Sequence, residues 1–286
     1  MDFVQVDVFA DGPYSGNPLA VFPDGGDLSK DQMQTIASEM NLSETTFVTD
    51  IKDGGYDVRI FTPREELPFA GHPTLGTAWV LRESGRISGD AVEQRSAAGP
   101  TPVTFEGDLV WLRRSGTVDP DHEESRPQHH AELAAALGVE PSDIGLEARE
   151  LGRSGRLRPA FAEAGVSILM APVKDLEVLK RCFGGPSLID VTPGSGAYCF
   201  TAVQAGRLRA RGFFPGVGVA EDPATGAAAA ALGVYLADRI GPTRVEIAQG
   251  VEMGRPSKIL LDAHADHVRV GGRCEHILEG HLSRLP

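Results

Sequence analysis

The sequence predicts an α+β protein of two similar halves, each with a mostly antiparallel sheet and one buried helix. The chain has 286 residues, about twice the usual length of a domain. Its strand and helix patterns follow one another in an order that fits antiparallel sheets better than a strictly alternating parallel sheet. Two segments, one in each half, also resemble each other, and each leads into an apolar helix.

The first half begins with a clear strand, since residues 4–8 alternate apolar and polar side chains. Ser29, followed three residues later by Gln32, predicts a capping box at the start of a helix. Asn41 suits the left-handed position that ends such a helix. The other elements predicted here are strands at 19–22, 45–48 and 56–61 and a helix at 73–83.

The polar stretch 115–130 is predicted to link two domains. We therefore divide the chain into domains 1–117 and 118–286, with the last strand free to return to the first domain. In the second half, Asp175 is placed to cap a helix. The elements predicted there are helices at 129–137, 176–182 and 224–237 and strands at 166–170, 198–203, 208–214, 244–248, 258–262 and 267–270.

Composition excludes several classes of function. Forty acidic against 27 basic residues give a net charge of −13, which argues against a nucleic-acid partner. No apolar run approaches the roughly 20 residues that cross a membrane. No GxGxxG or P-loop lysine supports nucleotide binding, and no HxH or HExxH spacing supports a metal site. Three scattered cysteines, and an N-terminus without a signal-peptide pattern, lead us to expect a cytoplasmic protein.

The internal repeat places two helices in corresponding positions. In each copy a strand is followed by a helix with Pro73 or Pro223 predicted at the first helical position. His72 and Asp222 then fall at the two N-caps. If both helices begin at one cleft, their unsatisfied N–H groups suit a small carboxylate ligand. Asp222 could simply be an N-cap, but histidine is not a favoured cap and is better suited to proton transfer.

Five motifs follow one another along nearly the whole chain: Asp7-Val8-Phe9 with Gly16-Asn17-Pro18-Leu19-Ala20-Val21, Asn41-Leu42-Ser43-Glu44-Thr45, Phe61-Thr62-Pro63, Phe69-Ala70-Gly71-His72-Pro73-Thr74-Leu75-Gly76, and Glu221-Asp222-Pro223-Ala224-Thr225-Gly226. In this order they resemble the PhzF-like isomerases of phenazine biosynthesis. Two shorter segments near the C-terminus, Gln249-Gly250 and Met253-Gly254-Arg255-Pro256-Ser257, resemble the same family.

This resemblance implies a diaminopimelate-epimerase-like fold, with two pseudo-symmetric domains that each wrap a curved, mostly antiparallel sheet around a central helix. It implies an active site between the domains and a homodimer. The best-known member moves a proton along the conjugated ring of a dihydro-hydroxyanthranilate without metal or organic cofactor. A small carboxylate-bearing substrate, and no cofactor, are therefore expected.

The resemblance also implies roles for single residues. Glu44 corresponds to the family's catalytic acid/base, and His72 and Asp222 to the residues that assist it. The first turns of the two helices are expected to bind substrate, through Gly71, Pro73, Thr74, Thr225, Gly226 and Ala227. Ala227 departs from the family's usual Thr-Gly-Ser pattern, so a hydroxyl that could hold substrate is missing.

The surroundings of Glu44 in the sequence fit a proton carrier. Apolar neighbours disfavour a charged carboxylate, so we expect the pKa of Glu44 to be raised. Such a group can take a proton and return it to another atom. The alternative for Glu44 is an exposed carboxylate at a strand edge. Cys199 is expected in the core, and Gly194-Ser195-Gly196 in a turn.

Three functions therefore remain open. The first is a cofactor-independent isomerase, the second an epimerase or hydratase on the same fold, and the third a small-molecule-binding paralogue without turnover.

Overall fold

The chain forms two compact units, Met1–Arg113 with Gly271–Pro286, and Arg114–Val270. The computed structural model describes residues 1–52, 54–119, 127–192 and 196–286, without the side chains of 127–129. The division falls at 113/114 and 270/271, where the sequence suggested 117/118. Of the proposed linker 115–130, residues 120–126 lie outside the described residues. The rest of that stretch contains a short strand and the start of a helix.

Among its described residues, the first unit contains eight strands and two helices in its main segment, and one returning strand. Its helices are α1 (Lys30–Met40) and α2 (Gly71–Glu83). Its strands are β1 (Asp2–Val8), β2 (Asn17–Phe22), β3 (Glu44–Lys52), β4 (Gly55–Phe61), β5 (Glu66–Leu67), β6 (Ala91–Ser96), β7 (Gly99–Glu106) and β8 (Leu109–Arg114).

The second unit is built from the middle of the chain. Its helices are α3 (Pro127–Leu137), α4 (Leu176–Arg181), α5 (Leu188–Val191) and α6 (Gly226–Ile240). Its strands are β9 (Thr117–Val118), β10 (Leu146–Glu147), β11 (Arg156–Leu157), β12 (Ala160–Glu163), β13 (Ser167–Pro172), β14 (Ala197–Gln204), β15 (Arg207–Phe214), β16 (Val219–Asp222), β17 (Thr243–Gln249), β18 (Ser257–Ala263) and β19 (Val268–Gly272). The chain then returns to the first unit as β20 (Cys274–His281). Within the ranges described above, no helix is both long and apolar enough to span a membrane.

The two units share one strand order. In the first, neighbouring strands run β20, β1, β2, β3, β4, β6, β7 and β8, with β5 also beside β4. In the second, they run β9, β12, β13, β14, β15, β17 and β18, with β16 also beside β15. The pairs β2–β3, β4–β6, β13–β14 and β15–β17 are parallel, at corresponding places, and the other pairs are antiparallel. The internal repeat found in the sequence is therefore a repeat of topology.

A bidentate Arg–Glu ion pair occurs at corresponding positions of the two units. Arg59 makes a two-point ion pair with Glu66 at 2.7 and 2.8 Å, and its guanidinium lies 5.2 Å from the ring of the phenylalanine two residues on. Arg211 does the same with Glu221 at 2.8 Å, 4.9 Å from its own following phenylalanine. Bidentate pairs of this kind fix geometry as well as adding energy. Each pair fixes the strand that leads towards a central helix.

The central helices α2 and α6 are buried on nearly all sides. α2 contacts strands from both ends of its sheet, including β1, β2, β6 and β7, so the sheet curves around it. Glycines allow the closest approaches. A Cβ at Gly76 would lie 2.6 Å from Leu19 and 2.7 Å from Val8, and one at Gly233 of α6 would lie 2.7 Å from Leu261. The interiors are dense enough that such atoms have no room.

The local capping signals are confirmed, but two predicted helix starts are wrong. Ser29 and Gln32 form the expected capping box, and Asn41 adopts φ 52°. Pro73, however, is the third residue of α2, because the helix already begins at Gly71. Pro223 lies outside α6, which begins at Gly226 with Thr225 as its N-cap. Proline tolerates the whole first turn, where its missing N–H is not needed, so it marks a start only approximately.

We predict that Gly76→Ala destabilises the protein although alanine is the better helix former. The added methyl group would overlap Leu19 and Val8, and overpacking of this kind costs about 1–3 kcal/mol. Urea unfolding measures the change. Glu83→Ala, at an exposed position of the same helix, is the control and should shift stability by no more than about 0.5 kcal/mol. A Gly76→Ala protein as stable as the wild type would contradict this account of the packing.

Candidate active site

In the first unit, strands β2 and β3 direct polar side chains to the start of α2. Leu19 of β2 packs against α2, and the hydroxyl of Thr46 of β3 lies 2.8 Å from a threonine hydroxyl of that helix. Side chains two residues apart on a strand share a face. Asn17 therefore shares the face of Leu19, and Glu44 that of Thr46, so both lie on the α2 side.

The ring of His72 lies between these two side chains. Asn17 Nδ2 is 3.2 Å from His72 Nδ1, and Glu44 Oε2 is 3.3 Å from His72 Nε2. The imidazole is almost completely buried, whereas 17% of the Glu44 side chain is exposed. Within the part of the chain that the structure describes, Nε2 has no well-aligned hydrogen-bond acceptor, so its contact with Glu44 is close but not aligned.

Burial determines the charge of His72. Removal from water disfavours the imidazolium and lowers the pKa of His72 to about 3. The ring is therefore neutral near pH 7 and acts there through one N–H and one lone pair. The Glu44 carboxylate lies near the N-terminal end of α2, where the helix dipole favours an anion.

The first turn of α2 contains the other predicted binding residues of this unit. Gly71 and Pro73 are buried, and Thr74 is fully buried. The Thr74 hydroxyl donates to the N-cap carbonyl at 2.8 Å and accepts from Gln94 Nε2 at 2.7 Å. Gln94 in turn accepts from the Tyr56 hydroxyl at 3.0 Å. Both hydrogen bonds of the Thr74 hydroxyl therefore stabilise the start of α2.

In the second unit, one glutamine fixes the segment around Asp222. Gln249 Nε2 donates to the Asp222 carbonyl at 2.8 Å and to the Thr225 hydroxyl at 3.0 Å. Its Oε1 accepts from the Thr225 N–H at 3.2 Å and from Tyr198 at 2.8 Å. The Thr225 hydroxyl donates to Asp222 Oδ2 at 2.5 Å. The buried carboxylate is thus held at the end of β16, before α6 begins.

The predicted N-cap positions of His72 and Asp222 are both wrong. His72 is the second residue of α2, whose N-cap is Ala70, and Asp222 lies three residues before the N-cap of α6. Thr225 is the N-cap of α6, and it makes no side-chain capping bond. Asp222 acts on the Thr225 side chain from three residues earlier. Gly226 and Ala227 are the first two helical residues, and Ala227 is half-buried. Ala227 thus presents a methyl group at the start of the helix.

Sequence reasoning did not assign a site role to Asn17, Gln94 or Gln249. The strand predicted at 19–22 already begins at Asn17. Its contact with His72 joins positions 55 residues apart, so no local pattern indicates it. Polar glutamines in otherwise apolar strands are a usable signal for the other two, since buried polar groups need partners.

The remaining candidates are structural. Cys199 is fully buried as expected, and its surroundings hold the pKa of its thiol well above the usual range, chiefly through its contact with Cys182 and through burial. Of the expected turn at 194–196, residues 194 and 195 lie outside the described residues. Among the side chains that the structure describes, no group of three or more His, Cys, Asp or Glu could hold a metal ion.

Comparison with known proteins gives consistent matches. The model of the phenazine biosynthesis-like protein family (PhzC-PhzF) matches residues 6–280. A trans-2,3-dihydro-3-hydroxyanthranilate isomerase from Pseudomonas aeruginosa is 40% identical over 276 residues, covering 94% of this chain and 92% of that protein. One from Pseudomonas fluorescens is 37% identical over 287 residues, covering 99% and 95%.

A solved structure supports the fold. The PhzF-family phenazine biosynthesis protein of Bacillus anthracis superposes with a TM-score of 0.85 at 22% identity, covering 99% of both chains. The α+β fold predicted from the sequence, of the diaminopimelate-epimerase-like kind, is thereby confirmed.

We predict that His72 makes the protein less stable as the pH falls. The folded pKa of about 3 lies below the ordinary value of 6.5, so the unfolded chain takes up the proton first. Stability from this group is therefore complete above pH 6.5 and is lost between about pH 6.5 and 3, by at most about 1.4 kcal/mol per pH unit.

His72→Gln should flatten this part of the profile, as measured by urea unfolding between pH 5 and 7 (roughly the upper half of that window). The exposed His276→Gln is the control for loss of an imidazole. An unchanged slope in His72→Gln would show that His72 is not held neutral in the native state.

Proposed function

The chain belongs to the phenazine biosynthesis-like family and is an isomerase, and from that premise we propose that it moves a proton within a small, conjugated, carboxylate-bearing substrate by general acid–base catalysis. One observation carries this proposal. The Glu44 carboxylate lies 3.3 Å from the buried, neutral ring of His72, at the N-terminal end of a buried helix. A carboxylate in such a place is partly removed from water and can exchange a proton with carbon.

In the proposed reaction, the Glu44 carboxylate removes a proton from a saturated carbon next to the conjugated system. The electron pair of the broken C–H bond spreads into that system and towards the substrate carboxylate. Glu44, now protonated, gives the proton to a different carbon, and the double bonds shift. One C–H bond breaks and one forms, so the oxidation state of the substrate is unchanged. The His72 ring stays neutral throughout.

The other residues bind the charge of the substrate. Backbone N–H groups at Gly71 and His72, and at Gly226 and Ala227, lie in the first turns of their helices, where N–H groups lack intrahelical acceptors. Aimed at developing negative charge, such groups stabilise a transition state. We propose that Asp222, fixed by Gln249, accepts a hydrogen bond from a polar group of the same substrate molecule.

We propose trans-2,3-dihydro-3-hydroxyanthranilate, or a compound of the same class, as the substrate. Two relatives that span nearly the whole chain carry the name of this isomerase. Ala227 argues for a difference in detail, because it supplies no hydroxyl at the second residue of α6. The carboxylate and the conjugated ring are the features that the proposed chemistry requires.

The strand register favours an isomerase with one proton carrier over an epimerase with two. Thr45 pairs with Phe61 in the first unit, and Ala197 pairs with Phe213 at the corresponding place in the second. The residue that corresponds to Glu44 is therefore the one before Ala197, which is Gly196. Glycine has no side chain to carry a second proton.

We predict that Glu44→Gln lowers turnover of trans-2,3-dihydro-3-hydroxyanthranilate by about 10²–10⁴-fold, the usual contribution of acid–base catalysis. Glutamine keeps the size of the side chain but cannot take up the proton. Turnover is followed by absorbance and, in deuterated water, by mass and NMR of the product.

Glu39→Gln, an exposed carboxylate of α1, is the matched control and should retain wild-type turnover. If Glu44→Gln kept more than about a tenth of the activity, Glu44 would not be the base. A product heavier by one water would instead identify a hydratase, and tight binding without any product would identify a binding protein.

We predict opposite outcomes for two variants of the second unit. Asp222→Asn keeps the size and the accepting oxygen but removes the charge, so turnover should fall by about tenfold or more while thermal unfolding changes little. Ala227→Ser restores the hydroxyl of the family pattern and should lower the KM for this substrate. An Asp222→Asn enzyme with full activity would remove Asp222 from the proposed site.

A further inference from the structure

We propose that Asn17 is a positioning residue that selects the tautomer of His72, so that the Nε2–H of the ring faces Glu44. This goes beyond the proposed function in naming a group that acts through His72 and never touches the substrate. The tautomer itself follows from the contacts of the first unit alone, and only its effect on turnover rests on the proposed function.

The backbone holds Asn17 rigidly. Gly16 has φ +83°, a conformation that L side chains rarely adopt, and a Cβ there would lie 2.4 Å from the Val8 carbonyl oxygen. Asn17 then pairs with Val8 as the first residue of β2. Its side chain has no exposed surface. A glycine in this position therefore allows the chain to approach β1 closely enough to bring the amide against His72.

The contact between the Asn17 amide and His72 determines which ring nitrogen of His72 carries the proton. A neutral imidazole has one N–H donor and one bare nitrogen. The Asn17 amide nitrogen can only donate, and it lies 3.2 Å from His72 Nδ1, so Nδ1 is the bare nitrogen. The ring proton is then on Nε2, 3.3 Å from Glu44 Oε2.

The second contact of the ring supports the same assignment. With the opposite tautomer, the lone pair of Nε2 would face a carboxylate oxygen, and like partial charges would repel each other. Both neighbours of the ring therefore favour the same proton position. The ring proton of His72 is therefore placed on the side of Glu44, and the lone pair of Nδ1 on the side of Asn17.

The tautomer can be observed directly by NMR. Protein labelled with ¹⁵N-histidine is examined near pH 7 in a long-range ¹H–¹⁵N correlation spectrum, which distinguishes protonated Nδ1 from protonated Nε2. The His72→Gln variant identifies the signals of His72 among those of the eight histidines. We expect protonation on Nε2. Protonation on Nδ1 in the wild-type protein would overturn the proposal without any further variant.

Asn17→Asp tests the cause. A carboxylate can only accept, so Nδ1 of His72 should become protonated, and Nε2 should lose its position as sole carrier of the proton. Thr46→Val is the matched control, because it removes another buried hydrogen bond to α2 without touching His72. It should leave the His72 signals unchanged. Unchanged His72 signals in Asn17→Asp would show that Asn17 does not select the tautomer.

Kinetics then separate this proposal from the proposed function. Asn17→Asp should lower kcat by about ten- to a hundredfold, as for other residues that orient a functional side chain, with little change in KM. If Asn17→Asp moved the His72 proton away from Nε2 but left kcat unchanged, Asn17 would not be a positioning residue, and Glu44 would remain the base. An active Glu44→Gln enzyme, by contrast, would overturn the proposed function and leave the tautomer assignment intact.

Discussion

Each unit depends on enclosing one apolar helix within a single curved sheet. Such a helix satisfies its own backbone along its length, but its first N–H groups and last carbonyls have no intrahelical partners. Polar side chains must therefore collect at the ends. In the first unit, Tyr56, Gln94 and Thr74 form a buried chain at the start of α2. In the second, Gln249 links Tyr198 and Thr225 at the start of α6. Enclosing an apolar helix in each sheet therefore also brings polar side chains together at the starts of α2 and α6.

The same topology allows the two units to diverge at single positions. The bidentate Arg–Glu pairs have been kept in both units, since each fixes the strand that leads to a helix. The glutamate is not repeated, because Gly196 stands in the second unit at the position that corresponds to Glu44. The histidine is not repeated either, because Asp222 corresponds to His72 in the sequence repeat. A repeated scaffold with one carboxylate next to a neutral ring in the first unit fits a reaction in which a single group both takes and returns the proton.

The sequence predicts those features that depend on neighbouring residues. The capping box of Ser29 and the left-handed Asn41 are local and were found correctly. The fold class followed from periodicity and from the repeat, and Glu44 from a motif resemblance. The starts of α2 and α6 were misplaced because proline is tolerated across a whole first turn. The contact between Asn17 and His72 could not be predicted, since these residues lie 55 positions apart in the sequence. Long-range register decides which polar side chains meet, and no single segment contains that information.

Three polar side chains near the start of α2, those of Asn17, His72 and Glu44, differ in burial and in the charge that they can carry. Asn17, with no exposed surface, is neutral, and burial keeps His72 neutral as well. The third group is the Glu44 carboxylate, and 17% of this side chain is exposed. A neutral polar group costs less free energy to bury than a charged one. The carboxylate therefore remains in partial contact with water, whereas Asn17 and His72 are buried. A carboxylate that is only partly hydrated is well suited to act as a base towards carbon.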